Sequence, residues 1–190
     1  MTAQQKSLLE DLRQKMAGNS SVISYEYVLE ADGIKTGGSG VLTTQDQAYR
    51  MSGNGLDIMC NGTAVWVMDT AGKEVVMESV AEGADAYMMN PALLFTDLES
   101  LFNVGSPVSD GALKTYSLTP KASCGISSGK VSVDNSGKVP VFSSGSFCLS
   151  DGSSLTIKIK SMTFSEKKPL TFYTLDISGL DSSWMITDLR

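Results

Sequence analysis

The sequence predicts a mainly β chain with a few helices (α+β): a long antiparallel sheet, one helix at the N-terminus and a second helix inserted between strands. Three observations predict it. From Ser21 to Glu78, short runs rich in β-branched and aromatic residues are broken by turn pairs about every ten residues, the rhythm of hairpins and meanders and not of βαβ units. No proline precedes Pro91, which leaves every early strand free to pair. Ahead of these runs, Leu8, Leu9, Leu12 and Met16 fall on one stripe of a helix, with Glu10, Asp11, Arg13 and Lys15 on the other side.

The N-terminal helix has two candidate capping boxes, Thr2 with Gln5 and Ser7 with Glu10, and Gly18 is a natural stop. The turn signals that follow are Asp32-Gly33, Gly37-Gly38, Gly53-Asn54-Gly55, Asn61-Gly62 and Ala71-Gly72. Between them lie the strand segments Tyr49–Gly53, Asp57–Gly62, Ala64–Asp69 and Lys73–Glu78. Ser79 to Asn103 breaks the rhythm. Asn90 reads as a helix cap with Pro91 at the first helical position, and Leu93, Leu94, Leu98, Leu101 and Phe102 supply an apolar stripe. So short a helix is marginal in water and has to dock on the sheet. Strands are expected again at Tyr116–Pro120, Ile126–Val133, Val139–Leu149, Leu155–Phe164, Leu170–Ile177 and Trp184–Ile186, with turns at Asp134–Gly137 and Leu149–Ser153. No repeat or linker divides the chain, so residues 1–190 read as a single domain.

Composition bounds the function. At 190 residues and 42% hydrophobic the chain can bury a substantial core. A net charge of -6 argues against nucleic acid, whose binders carry a basic face. No stretch approaches the roughly 18 apolar residues of a membrane-spanning helix. Met1 to Lys6 lack a basic start followed by an apolar run, so no secretory leader is expected in this chain. Ten methionines give flexible apolar surface that re-packs around varied partners, and equally fill ordinary cores.

Catalytic chemistry is scarce. The chain has no histidine, which removes the usual base of a nucleophilic triad and the commonest transition-metal ligand. Gly37-Gly38-Ser39-Gly40-Val41 lacks the second glycine of a nucleophile elbow and reads as a turn. Gly53-Asn54-Gly55 does not extend to a dinucleotide fingerprint. Asn61-Gly62-Thr63 has the form of a glycosylation acceptor but suits a tight turn. Glu74, Glu78, Glu82 and Asp85 are spaced like surface charges, with no pair set apart for glycoside hydrolysis. The expectation is a non-enzyme without cofactor or metal. Cys124 and Cys148 are equidistant from Ser136, so unbulged pairing of the two arms would set them opposite one another as a disulfide; Cys60 is expected to be a buried apolar residue.

Taken in order, Tyr49–Gly53, Asp57–Gly62, Ala64–Asp69, Lys73–Glu78, Asn90–Phe95, Tyr116–Lys121 and the closing Trp184–Arg190 resemble the periplasmic outer-membrane lipoprotein carrier (LolA-like) family. Asn61–Met68 is similar to its turn-then-tryptophan hairpin, Leu118-Thr119-Pro120-Lys121 to its strand end, and Asn90–Leu94 to the segment before its lid helix. Gln45 stands where the family carries a cargo-releasing arginine before a proline, so that switch does not carry over. The resemblance implies a strongly curved, unclosed sheet (a half-barrel) with the N-terminal helix and the Asn90–Phe102 helix as lid. It implies a monomeric periplasmic carrier of acylated lipoproteins, passing them from an inner-membrane releasing transporter to an outer-membrane acceptor with only transient membrane-protein contact. Candidate acyl-chain-lining residues are Leu9, Leu12, Met16, Tyr49, Met51, Trp66, Met68, Met88, Leu93, Leu94 and Phe95. The alternatives are a related outer-membrane receptor or lipid-sensing domain of the same fold, or a β-rich interaction module without a ligand.

The physics of such cargo is severe. At ~0.8 kcal/mol per methylene, a chain of about sixteen carbons costs on the order of 12 kcal/mol to leave in water. Capturing the full gain of three chains would exceed the ~20 kcal/mol ceiling of non-covalent affinity, so a carrier has to give part of it back by closing on itself when empty.

Overall fold

The computed structural model describes residues 3–80, 94–96 and 98–190. Helix α1 (Ala3–Gly18) forms where the stripe predicts it. It buries Leu9 and Leu12, with Met16 half-buried against the same core, while Glu10 and Arg13 pair on its exposed side. At about 1.5–3 kcal/mol for each leucine taken from water, that stripe holds the helix down.

Six strands follow as a meander: β1 (Ser20–Ala31), β2 (Ile34–Gln45), β3 (Ala48–Gly53), β4 (Leu56–Cys60), β5 (Ala64–Asp69) and β6 (Glu74–Ser79). Then come a short helix α2 (Leu98–Leu101), β7 (Phe102–Val104), β8 (Val108–Asp110), β9 (Leu113–Pro120), β10 (Ile126–Asp134), β11 (Val141–Leu149), β12 (Ser154–Ser165) and β13 (Met185–Asp188). All thirteen lie in one sheet of order β13-β6-β5-β4-β3-β2-β1-β12-β11-β10-β9-β7, with β8 also on β9. The first and last long strands, β1 and β12, pair from Ser20↔Ser165 to Glu30↔Ser154 and so join the two meanders. The sheet is large, curved and not closed into a barrel. Its ladders are antiparallel except β13, which pairs parallel to β6.

Tight turns fall where Asx-Gly pairs ask for them. Asp32 and Gly33 have φ of 52° and 76°, and Asn54 and Gly55 have 53° and 80°, the two left-handed positions of a hairpin turn whose twist matches its strands. Asn61 Oδ1 accepts from the Thr63 and Ala64 amides at 3.0 Å, closing the Asn61-Gly62 turn. Gly37-Gly38-Ser39-Gly40 is not a turn, contrary to the sequence expectation, but lies inside β2. The glycines there make room for aromatic rings from β1. A Cβ on Gly38 would stand 2.7 Å from the Tyr27 hydroxyl, and one on Gly40 would stand 2.8 Å from that of Tyr25.

The sheet is apolar on both faces. On the inner face, under α1, Ile23, Tyr25, Leu42, Met51, Ile58, Val65, Val131 and Ile157 pack with Leu9, Leu12, Leu94, Phe95 and Leu98. On the outer face Met59, Ala64, Trp66, Val75 and Met77 pack under a C-terminal arm that contributes Leu175, Ile177, Leu180 and Trp184. That arm corrects a second expectation, since Leu170–Ile177 is not a strand. Two short 3-10 turns, Leu170–Tyr173 and Ile177–Gly179, run there instead, the second capped by Asp176 accepting from the Ser178 amide at 3.0 Å. Pro169 has no N–H for a ladder, and the arm is secured by side chains: Tyr173 is fully buried with its hydroxyl 3.1 Å from Ser20 Oγ.

Two further expectations change. Of the helix expected from Asn90 to Phe102, the described part is a 3-10 turn at Leu94-Phe95 and the four residues of α2, with Phe102 already opening β7; Asn90 to Leu93 lie outside the described residues. Cys124 and Cys148 do not face one another. Register shifts at Ile126/Ser128 and Ser132/Val133 put Ser128 opposite Cys148, Cys124 precedes the strand, and all three cysteines are free. Cys60 is buried as expected.

Candidate functional site

A cavity of about 460 Å³ opens between α1, the sheet and the residues leading into α2. Three pieces of local structure make it. The later turns of α1 present Leu9, Arg13, Met16 and Ala17; the start of β1 and the end of β2 present Ser21, Thr44, Gln45 and Asp46; Phe95, Thr96, Leu98, Glu99, Ser100 and Phe142 of β11 close the third side. Strand alternation places Ser21 and Thr44 on the face shared with Ile23 and Leu42, and the two are cross-strand partners.

The cavity is amphipathic. Leu9, Leu98, Phe95 and Phe142 form its apolar wall, the two phenylalanine rings packing with centroids 4.9 Å apart. Opposite are Ser21, Thr44, Gln45 and Asp46, whose polar atoms are engaged with one exception. Gln45 forms a two-bond clasp with the C-terminal segment, donating from Nε2 to the Lys168 carbonyl at 3.0 Å and accepting the Lys168 amide at 2.7 Å. Asp46 pairs with Lys167 at 2.9 Å, and Thr44 donates to the Ala48 carbonyl at 3.4 Å. The Ser21 hydroxyl is the exception: among the described residues it is the one buried side-chain polar atom without a hydrogen-bond partner. Arg13 pairs with Glu10 and lies 3.6 Å from Glu99, an exposed link between α1 and α2.

Of the candidate lining residues, Leu9, Met16 and Phe95 line this cavity. Leu12, Leu94 and Met51 are buried in the inner core beside it, and Tyr49 is half-buried against that core, where burial pushes its phenol well above the usual tyrosine value. Trp66 and Met68 are corrected: they pack in the outer cluster, because β5 turns Val65 and Val67 inward and Ala64, Trp66 and Met68 outward. Met88 and Leu93 lie outside the described residues. Sequence reasoning missed Arg13, Ala17, Ser21, Thr44, Gln45 as a wall residue, Asp46, Thr96, Leu98, Glu99, Ser100 and Phe142. Eight of these eleven are polar or charged, so a search for apolar stripes passes over them.

No known family's sequence model matches the chain, and no curated protein matches it. Solved structures do. An uncharacterized conserved protein from Thermus thermophilus superposes with a TM-score of 0.58 at 6% identity, over 96% of this chain and 98% of that one. A DUF1329 family protein from Desulfovibrio piger superposes at 0.53 with 13% identity, over 95% and 100%. The likeness shows a fold, not an activity. A LolA superfamily protein from Nitrosomonas europaea is also similar, more loosely, with a TM-score of 0.48 at 12% identity over 90% of this chain and 97% of that one. Among the described residues no helix is long and apolar enough to cross a membrane.

Proposed function

We propose that this chain is a carrier for acyl chains, acting as a single monomeric domain over residues 1–190 in the periplasm and moving lipoproteins from an inner-membrane releasing transporter to an outer-membrane acceptor. The observation that carries the reading is the cavity between α1 and the inner face of the sheet, with an apolar wall where the LolA-like resemblance of the sequence expects hydrocarbon. Its size favours one chain over three: 460 Å³ lies toward the lower end of the ~300–1,000 Å³ of small-molecule sites. A single chain of about sixteen carbons is worth at most about 12 kcal/mol, below the ceiling of non-covalent affinity. The link from Arg13 to Glu99 is solvent-exposed and weak, of the kind that lets α1 and α2 part and reclose.

The test fills the cavity without disturbing the core. Ala17 lines it from an exposed position, so Ala17→Trp is expected to leave the melting temperature within a few degrees and to abolish binding of a fluorescent acyl probe. Mass spectrometry of material extracted from the protein purified from its own periplasm gives the second readout, an acylated peptide or lipid in the wild type and none in Ala17→Trp. Undiminished probe binding in the folded variant refutes this placement of the site.

A further inference from the structure

We infer that the cavity reads the linkage of its cargo as well as its hydrocarbon, and that Ser21 is the residue that reads it: the favoured ligand is an acyl chain ending in a neutral carbonyl, an ester or an amide, rather than a free fatty acid or a plain alkane. This rests on the carrier reading and gives it a ligand chemistry. Ser21 is 1% exposed and its hydroxyl has no partner. Buried polar groups are almost always satisfied, and an O–H left unpaired asks for an acceptor. Among the described residues no group bonds it, Thr44 directly across the ladder included, and the Gln45 amide is used at both ends by Lys168. A ligand oxygen at the polar side of the cavity completes the set, while the attached chain runs toward Phe95 and Phe142.

The charges decide between neutral and anionic heads. Among the described residues the ionisable side chains lining the cavity are one cation and two carboxylates, Arg13, Asp46 and Glu99. Arg13 is engaged with Glu10 and Glu99, and Lys167 beside the cavity is engaged with Asp46. A carboxylate entering the polar side loses its hydration and meets Asp46 with no uncommitted cation among these groups, whereas an ester or amide oxygen needs only the hydroxyl. Two sources carry this linkage, a lipidated polypeptide and a glycerolipid.

The experiment displaces bound 1-aminoanthracene at pH 7 with methyl decanoate, decanoate and undecane, the last delivered from cyclodextrin, using the full chain and its Ser21→Ala and Ser21→Thr variants. Loss of one neutral hydrogen bond predicts that Ser21→Ala weakens methyl decanoate about five-fold while undecane is unchanged, that Ser21→Thr keeps the ester affinity, and that the wild type prefers ester to decanoate. Equal weakening of ester and alkane, no weakening of either, or a wild-type preference for decanoate overturns the inference and leaves the carrier reading standing. Failure of all three ligands to displace the probe overturns both. Should Ser21→Ala not fold, the wild-type order of ester and decanoate still decides. A synthetic lipopeptide and dihexanoyl phosphatidylcholine, titrated alongside, tell which source binds, and the Ser21→Ala loss is expected for whichever does.

Discussion

Trp66→Ala removes the largest buried side chain of the outer cluster and leaves every wall of the cavity in place. Trp66 is 6% exposed and packs among Met59, Ala64, Val75 and Met77 beneath the C-terminal arm. Truncating a buried aromatic to alanine costs about 3–5 kcal/mol, and for a chain of this size each kcal/mol shifts the midpoint by about 2–4 °C. The expected loss is therefore a fall in Tm of about 6–20 °C, followed by far-UV circular dichroism. Affinity for an acyl probe, measured at 15 °C where the variant is folded, is expected to stay within about two-fold of the wild type. Phe95→Ala, by contrast, removes a wall residue and its ring contact with Phe142, and is expected to lower stability and affinity together. A ten-fold loss of affinity in folded Trp66→Ala would refute the separation of the two faces, since it would make the tryptophan part of the binding wall.

Other consequences follow from backbone proximity and from titration. A Cβ on Gly53 would lie 2.5 Å from the Ser39 carbonyl oxygen and 2.9 Å from Gly40 Cα, backbone that cannot swing aside, so Gly53→Ala is expected to cost about 1–3 kcal/mol in urea denaturation; an unchanged midpoint refutes the close approach. Hydrogen bonds from the serine two residues on hold Asp134, Asp151, Asp176 and Asp181 below their ordinary value, and Arg190 draws Asp188 to about 2. Folded values below unfolded ones mean a contribution present above about pH 4 and lost as pH falls toward 2, so Tm is expected to drop in that window. Burial, with a smaller contribution from Tyr27, raises Tyr25 to about 12, which has the opposite sign: its contribution is complete below about pH 10 and lost as pH rises through 12. With no histidine in the chain, a flat Tm from pH 5 to 8 is expected between these slopes, and a step there would contradict the assignment.

Much of the fold was legible because its determinants are local. The α1 stripe, the Asx-Gly turns and the strands between them need only neighbouring residues. The misreadings are non-local. Gly37, Gly38 and Gly40 look like a turn until Tyr25 and Tyr27 are laid across them from the next strand. Two register shifts in the β10–β11 ladder, invisible in composition, take Cys148 away from Cys124. Ala64-Val65-Trp66-Val67-Met68 is apolar at every position because both faces of β5 are covered, so alternation could not say which parity faces inward, and the tryptophan was given to the wrong side. Leu170 to Ile177 carries strand-like apolar residues, yet those that pack do so as a lid on the outer face and not as a rung of the sheet. The polar side of the cavity had no sequence pattern, since Ser21 matters through what it fails to bond.

The chain has two tryptophans, Trp66 and Trp184, and both pack in the outer cluster. Its natural emission is thus a gauge of whether the C-terminal arm is docked. Cargo entering on the far side of the sheet passes unseen by those indoles, and a spectroscopist who finds no change on adding lipid has learned about the arm rather than about occupancy. A reporter for loading has to be built into the inner wall, where Phe142→Trp would set an indole beside the hydrocarbon.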